Sequence, residues 1–169
     1  MLTRVRTVLA AAALVAVVAA SGPAHANPFV PAVTWGKPQA SAGLRFGSDN
    51  LNLGVGGRGG FTLVQGVYIG GVLDYFFAES NAHLFDIGVE GGFDFAIGPD
   101  MMVRPFAGLG IAAVRACVGD TCVSDSDTFI ELGGTFNYFL PQLFVGGELR
   151  ILAFRDTAVI LGGHVGMMF

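Results

Sequence analysis

Ionisable side chains recur at alternate positions along this chain, and that spacing limits the chemistry they could support. In the run from Leu84 to Phe95 the charged residues are Asp86, Glu90 and Asp94, and apolar or glycine residues lie between them. Because successive side chains of a β-strand point to opposite faces, a strand here has one charged and one apolar face. Charges gathered on one face could pair with one another in a polar core or form a gate or weak ion path.

The same parity places the charges of the other predicted strands on one face. The residues that share it are Arg45, Arg58, Asp74, Asp86, Glu90, Asp94, Arg104, Glu131, Glu148, Arg150 and His164. The opposite face of these strands carries no charge. We therefore predict a network of ion pairs on one side of a continuous sheet.

The two cysteines, Cys117 and Cys122, lie close together in a segment rich in turn-forming residues. In an oxidising compartment they would form a local disulfide. A metal or redox role is the alternative, but two sulfurs without a nearby histidine make a poor zinc site. We predict the disulfide and no metal.

Eight strands would position these residues. The predicted strands cover residues 39–47, 51–62, 67–77, 84–95, 102–114, 128–139, 143–154 and 158–169. Residues that favour turns separate them. The longest connection, 115–127, is predicted to be a loop with Asp120, Asp125 and Asp127. It could bind a cation, a host surface or another protein, but three unaligned aspartates are a weak calcium signal, which favours a solvated loop stapled by its disulfide.

Hairpin geometry predicts partners for the charges, because residues facing each other across a turn have numbers of constant sum. The turns assumed are residues 140–141, 155–157 and 97–101. The facing pairs predicted in this way are Glu131 with Arg150, Glu148 with His164, and Asp94 with Arg104.

The N-terminal segment predicts export. Arg4 and Arg6 precede an unbroken apolar stretch over 8–20, and a small-residue site ends at Ala26. These features are typical of a cleaved signal peptide over 1–26, and the apolar stretch is too short to favour an uncleaved anchor. An extended periplasmic lead-in over 27–38 and a single domain over 39–169 follow.

Composition indicates the medium around the sheet. After cleavage seven basic residues remain against thirteen acidic ones, so a basic nucleic-acid footprint is absent. Mean hydropathy is +0.63, although no long apolar helix follows the signal. A closed barrel with its apolar face in lipid reconciles these facts. A soluble lipocalin-like barrel would expose the charged face instead, but that face is diluted with glycines that pack well inside a narrow lumen.

Glycine and aromatic residues support the same arrangement. Aromatic residues cluster at two levels, as expected for two membrane interfaces. One group is Phe46, Tyr75, Phe77 and Phe85, and the other is Phe61, Phe93, Phe95, Tyr138 and Phe169. Glycines on the apolar face favour curvature, with a groove for a partner as the alternative. These glycines are Gly71, Gly91, Gly134, Gly147 and Gly163.

The signal peptide, eight alternating strands and terminal Phe169 together resemble the small outer-membrane barrels of the OmpA-barrel and OmpX type. The resemblance implies an all-β, eight-stranded antiparallel up-and-down transmembrane barrel in the outer membrane of a Gram-negative bacterium, reached by the general secretion route. It implies outer-membrane lipid, the secretion translocon and the barrel assembly machinery as partners. In that family the assembly signal is a C-terminal aromatic with alternating apolar residues, which Leu161, Val165, Met167 and Phe169 match and Gly163 weakens.

The lumen of an eight-stranded barrel is just wide enough for side chains to fill. We therefore predict a structural barrel for envelope integrity or surface interaction, with a narrow ion or solute channel as the alternative. A lipid-modifying enzyme is a third possibility, since some outer-membrane barrels use Ser and His facing the bilayer. His164 has the inward parity, so we predict a packed core histidine, no catalytic residue and no cofactor.

Overall fold

The computed structural model describes residues 36–48, 51–63, 66–77, 82–118, 121–154 and 157–169. The predicted signal peptide over 1–26, residues 27–35 of the lead-in and several predicted turn residues, among them Asp120, lie outside these ranges. No helix in the described ranges is long and apolar enough to cross a bilayer.

The described strands form one antiparallel sheet that closes on itself. They are β1 Pro38–Gly47, β2 Asn52–Thr62, β3 Val67–Phe77, β4 Ala82–Phe93, β5 Phe95–Ala96, β6 Met101–Val118, β7 Thr121–Phe139, β8 Leu143–Ala153 and β9 Thr157–Met168. Apart from β4 and β5, strands that are neighbours in the chain pair with each other, and pairing of β1 with β9 and of β4 with β6 closes the ring. The two-residue β5 continues β4 beyond Asp94, so the wall is eight strands around, and the predicted all-β up-and-down barrel is confirmed.

The predicted loop over 115–127 is wrong. The ladder of β6 and β7 runs without a break from Met101 opposite Tyr138 to Val118 opposite Thr121. The pairing of β6 with β7 that begins at Met101 and Tyr138 continues into this segment, since each added residue pair satisfies further backbone hydrogen-bonding groups. The local turn signals of Gly, Asp and Ser are overridden by that pairing. We name residues 112–118 and 121–129 the long hairpin.

Two of the three predicted registers are displaced by two residues. The β7–β8 ladder places Gly133, not Glu131, opposite Arg150. The Leu140 amide donates to the Leu143 carbonyl at 2.8 Å, so the turn residues are 141–142. This places Pro141 first in the turn, where its fixed φ suits a type I or II turn, and not second.

The β8–β9 ladder is displaced in the same way. Ala153 pairs with Thr157, so Glu148 faces Gly162 and His164 faces Gly146. The connection therefore begins one residue earlier than the predicted 155–157. The third register is as predicted. In the β4–β6 and β5–β6 ladders the numbers of paired residues have the same sum as those of Asp94 and Arg104, so these two residues lie opposite each other.

Burial alternates along the strands and separates a polar lumen from an apolar exterior. The charged residues of the predicted network are all buried, and large apolar side chains are exposed around the wall. Both predicted aromatic groups have members on this exterior. These include Phe46 and Phe77 at one end of the barrel and Phe61 and Tyr138 at the other. An exterior of this kind matches the surface of a barrel that meets hydrocarbon.

Glycines fall into two groups according to the face they occupy. A Cβ at Gly43, which faces inward, would overlap the carbonyl oxygen of Gly163. A Cβ on the outward-facing Gly163 would have only the Gly146 carbonyl oxygen within reach, at 3.9 Å. Inward glycines are therefore required by the close approach of neighbouring strands and side chains, whereas a Cβ on an outward glycine would meet its nearest neighbour at 3.3–3.9 Å.

This difference predicts that Gly43→Ala destabilises the barrel by about 1–3 kcal/mol, because overpacking forces the backbone to shift. Gly163→Ala, on the neighbouring strand, is the matched control and should change stability little. Urea unfolding of the refolded protein in lipid vesicles measures both. Equal stabilities for the two variants would contradict the steric argument.

Candidate functional site: the barrel lumen

Three arginines and several carboxylates form the middle layer of the lumen. Arg150 donates to Glu131 Oε2 at 2.7 Å and also contacts Asp74. The wall elements that supply these groups are β8, β7 and β3, so one guanidinium connects three strands. Arg150 thus bonds Glu131, its predicted partner, from a register displaced by two residues, because its long side chain reaches the diagonal position.

Glu148 is the second centre of this layer. Its Oε2 accepts from Arg58 Nη1 at 2.7 Å, and its Oε1 lies 2.6 Å from Arg45 Nε. Arg58 extends the network to Glu90, with Nε and Oε1 2.7 Å apart. The sequence paired Glu148 with His164, whereas the structure pairs it with two arginines from β1 and β2. Hairpin arithmetic relates only strands that are joined by a turn, so it could not pair opposite charges on β8, β1 and β2.

Arg104 and Asp94 form a separate ion pair nearer the chain termini. Arg104 Nε donates to Asp94 Oδ1 at 2.5 Å and Nη2 donates to Oδ2 at 3.0 Å, so the contact is bidentate. Thr62 donates its hydroxyl to Asp94 at 2.6 Å, and Gln39 accepts from Arg104 at 3.1 Å. The guanidinium also lies over the ring of Tyr68, 3.6 Å from its centroid. Both oxygens of the Asp94 carboxylate thus accept hydrogen bonds.

His164 belongs to a neutral chain of hydrogen bonds. Its Nε2 lies 2.7 Å from Asn137 Oδ1, and Asn137 Nδ2 donates to Thr135 at 3.2 Å. Because an amide oxygen only accepts hydrogen bonds, Nε2 is the donor in this contact. The ring of Phe144 packs edge-on, with centroids 6.0 Å apart. His164 is thus held among polar and aromatic side chains inside the lumen.

The lumen contains more acid than base. The buried charges are six carboxylates, Asp74, Asp86, Glu90, Asp94, Glu131 and Glu148, and four arginines, Arg45, Arg58, Arg104 and Arg150. Asp86 is the least satisfied. It lies directly opposite Asp74, neither of its oxygens has a hydrogen-bond partner among the described residues, and Arg150 is 3.9 Å away.

Apolar clusters close the lumen at both ends, and sequence reasoning missed them. The cluster beside the long hairpin contains Leu51, Phe76, Leu84, Ala112, Phe129, Leu152, Ala158 and Ile160. The cluster at the end with the chain termini contains Met102, Phe139 and Phe144, with Met168 packed against it. These apolar side chains have the same inward parity as the charges, so alternation along the strands could have located them.

A cavity beside His164, lined also by Ser41, Arg58, Tyr68 and Asn137, has a volume of about 10 Å³. That is room for about one water molecule. The described lumen is therefore a packed polar core.

The cysteine pair lies outside the lumen, on the long hairpin. Cys117 and Cys122 face each other across the β6–β7 ladder and are joined by a disulfide, as predicted. The described residues contain no group of three or more His, Cys, Asp or Glu side chains arranged to hold a metal ion.

A closed ring of eight antiparallel strands, with an ion-paired lumen and an apolar exterior, defines the class of small transmembrane β-barrels. No family model matches the chain. No curated protein matches it either.

Solved structures share the fold at low sequence identity. Neisserial surface protein A superposes with a TM-score of 0.65 at 13% identity, over 79% of this chain and 96% of that one. Ail of Yersinia pestis gives 0.60 at 16% identity, over 79% and 99% of the two chains. The N-terminal β-barrel domain of Pseudomonas aeruginosa OprF gives 0.59 at 18% identity, over 79% and 97%. The chain thus has the fold of the small eight-stranded outer-membrane barrels.

Arg150→Ala should be strongly destabilising, by about 3–5 kcal/mol, because it leaves buried carboxylates without their partner. Arg115→Ala removes an exposed arginine from the long hairpin and is the matched control, expected to have little effect. Urea unfolding in vesicles, followed by heat-dependent gel mobility, measures both. An Arg150 variant as stable as the wild type would contradict the network.

Asp86→Asn should leave stability unchanged or raise it by about 1 kcal/mol, because it removes a buried negative charge that lacks hydrogen bonds and faces Asp74. Asp74→Asn should lower stability, since Asp74 bonds Arg150 directly. The same unfolding measurement applies to both variants. The reverse order of the two stabilities would show that the acidic excess is not centred on Asp86.

Proposed function

We propose that this protein is a non-enzymatic, non-conducting barrel of the outer membrane, where it contributes to envelope integrity and presents the long hairpin at the cell surface. The observation that carries the proposal is the filled lumen. Buried ion pairs occupy its middle, and Phe129 and Phe144 belong to the apolar clusters that cover the two ends.

A permeating ion would have to cross both apolar clusters and then displace charges that already have partners. Transfer of an ion from water into an apolar layer costs many kcal/mol unless polar groups replace its hydration. The cavity between the clusters holds about one water molecule, which is too little to carry a hydrated ion. The filled lumen therefore supports a structural role over the alternative of a narrow channel.

The position of His164, the candidate base, does not support a lipid-modifying activity. His164 faces the lumen, where Asn137 and Phe144 contact its ring. An acyl chain in the bilayer would lie on the opposite side of the wall from this imidazole. The packed histidine therefore serves the polar core and not ester hydrolysis.

Membrane placement and assembly form part of the same proposal. The side chains of Leu161, Val165, Met167 and Phe169 are exposed on the barrel exterior. The Phe169 amide donates to the Pro38 carbonyl at 3.0 Å, which joins the C-terminus to the first strand. An outward aromatic at the seam of the barrel supports recognition by the barrel assembly machinery, after export through the secretion translocon.

Planar-bilayer recording tests the proposal. The purified, refolded wild-type protein should insert without discrete conductance steps, because ion pairs and two apolar clusters occupy its described lumen. A known porin in the same bilayer confirms that insertion events would be detected. Reproducible steps from the wild-type barrel that are absent from a heat-unfolded sample would establish the channel alternative.

A further inference from the structure

Arg115 is the one arginine or lysine of the described strands that has the outward parity. It lies on β6, in the segment that the sequence predicted to be a loop, and its side chain is exposed. The carboxylates of the described strands all have the inward parity. The Arg115 guanidinium makes no ion pair with a described residue. Its charge is therefore available to a ligand on the outer part of the wall.

His83 lies beside Arg115 and shares its outward parity. The two residues face each other on the β4–β6 ladder, and Ser124 faces Arg115 on the β6–β7 ladder. The half-buried His83 ring stacks on the Tyr75 ring, with centroids 5.6 Å apart and planes inclined by 22°. A guanidinium, an imidazole and a hydroxyl group thus lie side by side on one face of three paired strands.

This polar group begins where the outer aromatic residues end. On the β4–β6 ladder the exposed Phe85 faces Ala113, and the next outward pair toward the hairpin tip is His83 with Arg115. A strand rises about 3.3 Å per residue, so that pair lies about 5–7 Å beyond Phe85 when the strand tilt is included. The headgroup layer adds about 5–8 Å to each side of the hydrocarbon core. With Phe85 at the membrane interface, Arg115 and His83 lie at the level of the lipid headgroups.

We propose that Arg115, His83 and Ser124 form a binding site for the phosphate of a phosphorylated lipid headgroup in the outer leaflet. The inference rests on the proposed placement of the long hairpin at the cell surface. Arg115 is the principal residue, because a guanidinium donates two parallel hydrogen bonds to a phosphate. The imidazole and hydroxyl groups beside it add further donors.

A membrane lipid, and not a free phosphate ion, is the occupant that the surroundings favour. Below the polar group the same ladder presents exposed apolar side chains, including the facing pair Ile87 and Ile111. Acyl chains that cover this surface belong to the same molecule as the phosphate, so both contacts contribute to the binding of one ligand. A free phosphate ion would gain only an exposed ion pair, which is weak and screened by salt.

The test compares two lipids that differ only in the phosphate, dimyristoyl phosphatidic acid and dimyristoylglycerol. Native mass spectrometry of the refolded protein in a non-ionic detergent measures the dissociation constant of the first lipid bound. The wild type should bind the phosphatidic acid about tenfold more tightly, the ratio that one charge-assisted hydrogen bond supplies. R115A should bind the two lipids equally. R115K should keep part of the preference, because lysine retains the charge without the paired donors.

Two controls separate a site from general attraction to a positive charge. Lys37→Ala removes an exposed cation at the opposite end of the barrel and should keep the wild-type preference. Glycerol 3-phosphate, which lacks acyl chains, should not displace the bound phosphatidic acid when added in excess. Because Arg115 makes no ion pair with a described residue, R115A should fold like the wild type, which heat-dependent gel mobility verifies.

Three results would overturn the proposal. These are equal affinities of R115A and the wild type for phosphatidic acid, an equal loss of preference in K37A, and displacement of the lipid by glycerol 3-phosphate. Each leaves the proposed structural role intact, since that role is tested by conductance. Conductance steps from a wild type that still prefers phosphatidic acid would reject the structural role and retain the lipid site.

Discussion

Ten charged side chains are buried in a lumen with almost no room for water, and the rest of the barrel is arranged around their pairing. Charges without solvent are tolerated only when partners and hydrogen bonds replace hydration. Arg150 therefore joins Asp74 and Glu131, while Arg58 joins Glu90 and Glu148. These contacts tie together strands that are distant in the sequence. The ion pairs that neutralise these charges thus also connect strands on opposite sides of the lumen.

The space for this network comes from residues with little or no side chain. Inward glycines such as Gly43 and Gly110 allow the walls to approach closely, and a Cβ there would meet backbone atoms. Apolar clusters at the two ends then separate the charges from water, which strengthens each ion pair by lowering the local dielectric. Packing and electrostatics therefore depend on each other, and a change that opens the lumen would weaken the pairing that fills it.

Ion pairs and two apolar clusters occupy the described lumen. The most prominent asymmetry of the barrel is the long hairpin, in which β6 and β7 outlast their neighbours and the Cys117–Cys122 disulfide joins facing residues. Within this hairpin the Ser126 and Thr128 amides donate to the carboxylates of the preceding aspartates.

Alternation and composition together predicted the barrel and its inward charges, and the short turn over 97–101 predicted the pairing of Asp94 with Arg104, because side-chain parity and hairpin register are local properties of extended chain. They did not predict that Glu148 binds Arg45 and Arg58, nor that residues 115–118 and 121–127 lie in strands. Partners across the lumen come from non-adjacent strands, whose relative height depends on the shear of the closed barrel. Turn signals are also local, whereas the length of a hairpin depends on the ladder beneath it. The sequence by itself determined which side chains face inward; only closure of the sheet decided which of them meet.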